Sequence, residues 1–203
     1  QPYDFYQYAM QHEKTAEIFF KYVPPEKLDT MKYDSPIKLA CKACNVKLIK
    51  KFKKMGFTWI EEKEDAFRFI FFNDDSPECR ATITYYVNTG FDINYISNPK
   101  YKTLLCKAVK FKSLATVKNL IALGANFEAT CNPFWIVAKR RFDYKNYEKG
   151  RQEYLEERKE NYFNAIAIEK YLYQLLESYP RKKRKALWKK FEIKKVLKYY
   201  PRD

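Results

Sequence analysis

The sequence predicts an all-α protein, a helix-turn-helix repeat solenoid with a capping helix at its N-terminal end and another at its C-terminal end. Three of the four glycines, Gly56, Gly90 and Gly124, lie 34 residues apart, and each closely follows an amphipathic stretch. A glycine there ends a helix, because it adopts the left-handed cap conformation without strain. The scarcity of glycine also disfavours tight β-hairpins and glycine-rich phosphate loops.

The N-terminal cap, residues 1–33, is predicted to hold one helix over residues 7–23 that stops at Pro24 and Pro25. Its apolar side chains alternate with polar ones at helical spacing. They are Ala9, Met10, Ala16, Phe19, Phe20 and Val23. Such a helix would cover the open face of the first repeat.

Each glycine-closed helix of the repeat region, residues 34–178, is preceded by an earlier helix. In the first unit Ser35 is placed to cap that helix and Pro36 to occupy its first position. In the third unit Thr103 takes the cap position. Sixteen residues separate Ala40 from Gly56, and sixteen separate Ala108 from Gly124. Two independent intervals therefore agree on one repeating design.

The motifs of these units resemble the ankyrin repeat. Residues 35–40, Ser-Pro-Ile-Lys-Leu-Ala, are similar to its opening, and residues 120–126, Leu-Ile-Ala-Leu-Gly-Ala-Asn, are similar to its close. The second opening falls at residues 65–70 and the fourth at 132–135. The fourth is followed by a charged helical insertion near 139–163 and a second helix at 165–176. The usual histidine of the opening is replaced by Lys38, Arg68, Cys106 and Trp135.

The last segment, residues 179–203, is strongly basic. From residue 181 onward it carries eleven Lys and Arg against Glu192 and Asp203, and so supplies +9 of the formal charge of +15. A single capping helix is predicted over residues 183–200. Its apolar stripe would be Leu187, Trp188, Phe191, Val196 and Leu197.

The five cysteines form an odd set, for which free thiols are the first expectation. Cys41 and Cys44 form a C-x-x-C pair. A zinc site would still lack ligands, because no second pair follows and His12 is the only histidine. No run of residues is long and apolar enough to span a membrane. The first residue, Gln1, fits either a trimmed chain or a mature form after signal removal.

Catalysis is not expected, and neither is a cofactor. The phosphate-loop, nucleophile-elbow, zinc-protease and dinucleotide-binding motifs are all missing. His12 lies in a polar stretch and is interpreted as a surface residue. Adjacent carboxylates such as Asp74 and Asp75 diverge in direction, so surface roles are favoured over acid-base chemistry.

The resemblance implies a concave binding face formed by loop tips and first helices. Trp59, Tyr95 and Tyr101 fall in or near the loops between repeats. The first helices contribute Lys42, Lys107, Lys110 and Trp135, and Arg140 is a further predicted partner contact. Aromatic and basic side chains are common interface anchors. The alternative is that Trp59 and Trp135 fill gaps between repeats.

Two functions remain open. The first is a protein-protein interaction module, of the bacterial effector, inhibitor or immunity type, acting as a monomer on one protein partner. The second is binding of nucleic acid or an anionic lipid surface. It would use the run Arg181, Lys182, Lys183, Arg184 and Lys185. The compartment, cytoplasmic or exported, stays undecided by the sequence.

Overall fold

The computed structural model describes residues 2–23, 34–59, 62, 66–67, 70, 75–95, 103–111, 113–128, 131–146 and 155–200. Their secondary structure is helical and, in these ranges, includes no strand, which confirms the all-α class. The chain divides into two compact units, Gln1–Asp92 and Ile93–Asp203. Nowhere in the described ranges is a helix both long and apolar enough for a membrane crossing.

The first unit contains α1 (Pro2–Ala9), α2 (Glu13–Tyr22), α3 (Pro36–Lys42), α4 (Val46–Lys54) and α5 (Pro77–Asn88). Its core holds the buried side chains of Ile37, Leu48, Phe52 and Tyr86. Pro36 begins α3 as expected, but Ser35 does not cap it with its side chain. The Ser35 hydroxyl instead donates a hydrogen bond to the Thr58 carbonyl at 2.7 Å.

The prediction of one helix over residues 7–23 is wrong, because the chain breaks between α1 and α2. The N–H of Gln11 binds the carbonyl of Tyr8, and that of His12 binds Ala9, which tightens and ends the first helix. His12 then takes an extended conformation before α2. Pro24 and Pro25, the predicted stop, lie outside the described residues, and α2 ends just before them.

The three glycines end α4, α5 and the later helix α7 (Leu114–Ala122) with one motif. Their φ values are +86°, +94° and +91°. Each glycine N–H binds the carbonyl three residues earlier, and the next N–H binds the carbonyl five residues earlier, as in a Schellman cap. In two of the three caps the side chains of the residues joined by the longer bond also pack together, Phe57 on Phe52 and Phe91 on Tyr86. In the third cap, Ala125 and Leu120 are both buried. The predicted glycine stops are therefore confirmed.

The second unit contains α6 (Leu104–Phe111), α7, α8 (Pro133–Asn146), α9 (Leu155–Ser178), α10 (Arg181–Lys190) and α11 (Ile193–Tyr199). Thr103 caps α6, since its hydroxyl accepts a hydrogen bond from the Cys106 N–H. The helix expected at 165–176 lies inside the longer α9. Of the predicted charged insertion, residues 147–154 lie outside the described part of the chain.

The basic C-terminal segment forms two helices, and the predicted single helix over 183–200 is wrong. Glu192 has a left-handed backbone with φ +48° and separates α10 from α11. The turn follows from burial of Phe191, whose ring lies 5.7 Å from that of Phe127 and 5.4 Å from that of Phe134. After the turn, Ile193 and Val196 are buried as well.

Four of the five cysteines form disulfides, so the expectation of free thiols is wrong for all but Cys41. Cys44 is bonded to Cys79 in the first unit, with their Cα atoms 4.7 Å apart, and Cys106 to Cys131 in the second, at 6.2 Å. Both distances fall in the bridging range. Cys44 ends α3 with a left-handed φ of +54°.

Candidate binding surfaces

Lys42, which was predicted to contact a partner, forms an ion pair with Asp34, just before the start of α3. The Asp34 carboxylate accepts hydrogen bonds from Lys38 at 2.7 Å and from Lys42 at 3.0 Å. Partial burial opposes ionisation of Asp34. The two lysines outweigh that burial and hold its pKa below the usual value. Lys42 therefore stabilises α3 and is half-buried.

Neither described tryptophan among the predicted anchors is freely exposed. Trp59 is only 6% exposed and lies in the core of the first unit. Trp135 is half-buried, with its ring 6.0 Å from that of Tyr199 and 5.2 Å from that of Tyr200. Trp135 thus packs α8 against the C-terminal helix of its unit.

Arg140 is a buried positioning residue, 6% exposed. Its guanidinium donates hydrogen bonds to the Val109 carbonyl at 3.3 Å and to Oδ1 of Asn161 at 3.0 Å. Arg140 lies on α8, so it joins the end of α6 to the N-terminal half of α9. Removing it would leave buried polar groups unmatched, and its role is to hold three helices together.

The end of α6 presents Lys110, which with Tyr95 is exposed among the predicted partner contacts that the structure describes. Lys110 is exposed, and its Nζ lies 4.6 Å from the centre of the Phe111 ring. Phe111 is 59% exposed and was not predicted as a contact. Tyr95 is 44% exposed, whereas Lys107 is half-buried. Tyr101 lies outside the described residues.

The basic run at the start of α10 divides into two faces. One face holds the helix in place. Lys183 lies 3.0 Å from the Glu128 carboxylate, and Lys190 donates to the Glu128 carbonyl at 2.6 Å. Arg184 forms an ion pair with Glu177. The opposite face carries exposed cations that form no ion pair within the described ranges. These are Arg181, Lys182, Lys185 and Lys189.

A cleft of about 450 Å³ lies in the second unit, and sequence reasoning did not find it. Arg141 and Glu169 line it as a buried ion pair, with Nε and Oε2 2.8 Å apart and each side chain 6% exposed. Arg141 also donates to the Tyr200 carbonyl at 3.1 Å. The volume suits a small ligand, but the Arg141 and Glu169 charges serve mainly to join α8, α9 and the end of α11.

Cys41, which remains free, is chemically protected. Burial raises the pKa of its thiol to about 12, and its Sγ lies 3.6 Å from the Ala66 carbonyl. Burial likewise raises the pKa of the nearby Tyr86 hydroxyl above its ordinary value. Both groups are therefore neutral and unreactive near pH 7.

No group of three or more His, Cys, Asp and Glu side chains that could hold a metal occurs in the described ranges. The described ranges thus offer exposed surfaces and a cleft, and two of the exposed surfaces are the end of α6 and the outer face of α10. In comparisons of the whole chain, no family model, no curated protein and no solved structure matches it.

Proposed function

We propose that this chain is a protein-binding module built from ankyrin-like helix pairs, and that it acts by binding a partner and not by catalysis. The observation that carries the proposal is the recurrence of one helix-ending motif at 34-residue intervals. Proteins assembled from such repeats use a stable scaffold to present variable side chains to a partner.

The contact surface that best fits this proposal is the end of α6, defined by Lys110 and Phe111. Phe111 offers an exposed ring, and Lys110 places a positive charge beside it. Arg140 binds the carbonyl of Val109, immediately before this pair. The pair is therefore presented from a fixed helix end, which lowers the entropy lost on binding.

A photo-crosslinking experiment tests the proposal. Phe111 is replaced by a photoreactive phenylalanine analogue in the full chain, and Phe163, which is 64% exposed on α9, receives the same analogue as a matched control. In extracts of the source organism, position 111 should give one discrete protein adduct that persists at about 0.5 M salt, where charge attraction is strongly screened. At low salt Lys110→Glu should reduce the yield of this adduct, because it puts the opposite charge beside the ring.

Equal adducts from positions 111 and 163 would show unspecific contact and would contradict the proposed surface. If the adduct at position 111 forms at low salt but disappears at about 0.5 M salt, the binding is due to charge attraction alone. Both outcomes concern the end of α6 and can be interpreted whatever the basic helix α10 binds.

A further inference from the structure

The outer face of α10 carries a regular row of positive charge, which we call the cationic stripe: Arg181, Lys182, Lys185 and Lys189. Arg181, Lys185 and Lys189 follow one another at i, i+4 and i+8. At 1.5 Å rise per residue they are spaced about 6 Å apart along the helix, about 12 Å in all. Lys182 lies beside this line on the same side of the helix.

The stripe is held on a fixed platform. Leu187, on the opposite side of α10, is 3% exposed, and Phe191 at the helix end is 2% exposed. Lys183 and Lys190 both bind Glu128, and this contact fixes how the helix is turned about its axis. The fixing cations and the stripe cations are thus different residues, so the stripe is available to a ligand without loss of the fold.

A row of evenly spaced cations complements a linear polymer with repeating anionic groups. Binding of bases would favour a series of exposed aromatic platforms, but the only aromatic residue of α10 is Trp188, at the edge of the stripe and half-buried. A helix that inserts into a lipid surface needs an apolar face beside its cations. The exposed side of α10 offers only Ala186.

The two disulfides indicate the surroundings of the protein, and these surroundings limit which anionic polymers it can meet. Cys44–Cys79 and Cys106–Cys131 persist in oxidising surroundings, such as the cell surface or the extracellular space. The extended polyanions of those surroundings are largely polysaccharides that carry sulfate, carboxylate or phosphate groups. We propose that the cationic stripe is a binding site for a linear anionic polysaccharide. This site and its ligand are separate from the protein-binding surface at the end of α6.

The test measures binding of the full chain, with its disulfides intact, to immobilised heparin over a series of salt concentrations. The triple variant Lys182→Gln, Lys185→Gln and Lys189→Gln should bind at least about tenfold more weakly at about 0.15 M salt, and the slope of log K against log salt should fall by about three, roughly one for each lysine. The corresponding Lys→Arg triple variant keeps the charge and should retain binding.

A matched control removes three exposed lysines of α4, Lys47, Lys50 and Lys54, also to glutamine. It loses the same charge and should change heparin affinity by less than about twofold. Equal losses in the two glutamine variants would mean attraction by net charge and would overturn the site. So would failure of the arginine variant to bind.

Duplex DNA of unrelated sequence and vesicles rich in phosphatidylserine complete the test. Both should bind more weakly than heparin at about 0.15 M salt. Binding of either probe that is at least as tight as heparin, and that is lost in the stripe variant, would overturn the polysaccharide assignment in favour of that probe's class.

Discussion

Each disulfide is expected to supply a large share of the stability of its unit. The bridges join residues 35 and 25 positions apart. A cross-link removes loop-closure entropy from the unfolded chain, by about 2.1 + 1.5R ln n cal/mol/K for a loop of n residues. At 25 °C this amounts to about 4 kcal/mol for Cys44–Cys79 and about 3.5 kcal/mol for Cys106–Cys131. Whole domains are stable by only about 5–15 kcal/mol.

The assay is thermal unfolding of the full chain followed by far-ultraviolet circular dichroism. For units of this size, 1 kcal/mol shifts Tm by about 4–8 °C, so the Cys44→Ala, Cys79→Ala double variant should lower the Tm of the first unit by roughly 15–30 °C. The control is Cys41→Ala, which keeps both bridges and costs about 1 kcal/mol for a small buried side chain. A double variant that melts within a few degrees of this control would refute the reasoning.

Three further outcomes are expected. Replacing Gly56, Gly90 or Gly124 by alanine should lower the free energy of unfolding, measured in urea, by about 1 kcal/mol at each position. An alanine in the left-handed conformation is strained by about 1–2 kcal/mol, but it also reduces the entropy of the unfolded chain, which offsets part of that strain. The added Cβ causes no clash, because no atom lies within 4 Å of it. By mass spectrometry, iodoacetamide should label no cysteine of the native protein and only Cys41 after unfolding without reductant. Glu169→Ala should lower the free energy of unfolding, measured in urea, by about 3–5 kcal/mol, because it removes the carboxylate of a buried ion pair with Arg141.

The helix ends that carry glycine or proline are predictable from the sequence, because these residues restrict or free the backbone locally. Gly56 and Pro36 are examples. The breaks at His12 and Glu192 carry neither residue. They arise because the helices on both sides bury their apolar faces better when the chain turns, and only the tertiary packing contains that information.

The candidate site was predictable only in part, because tertiary packing decides which charged side chains are exposed. Lys110 is exposed as expected, whereas Arg140 and Lys42 make internal contacts that their charge alone does not reveal. Lys189 belongs with Lys185 on one helix face, and a helical projection of the sequence could have found it once the helix start was known. The disulfides could not be predicted, because spacing along the chain does not give distance in space.

The order of the bonded cysteines also matters for synthesis. Cys44 pairs with Cys79 and Cys106 with Cys131, so the two bridges follow one another along the chain and neither encloses nor crosses the other. Each can close as soon as its second cysteine leaves the ribosome or a translocation channel, before the later pair exists. Cys41 emerges first and competes for Cys44 until Cys79 arrives. Its burial in the finished unit removes that competitor once the correct bond has formed.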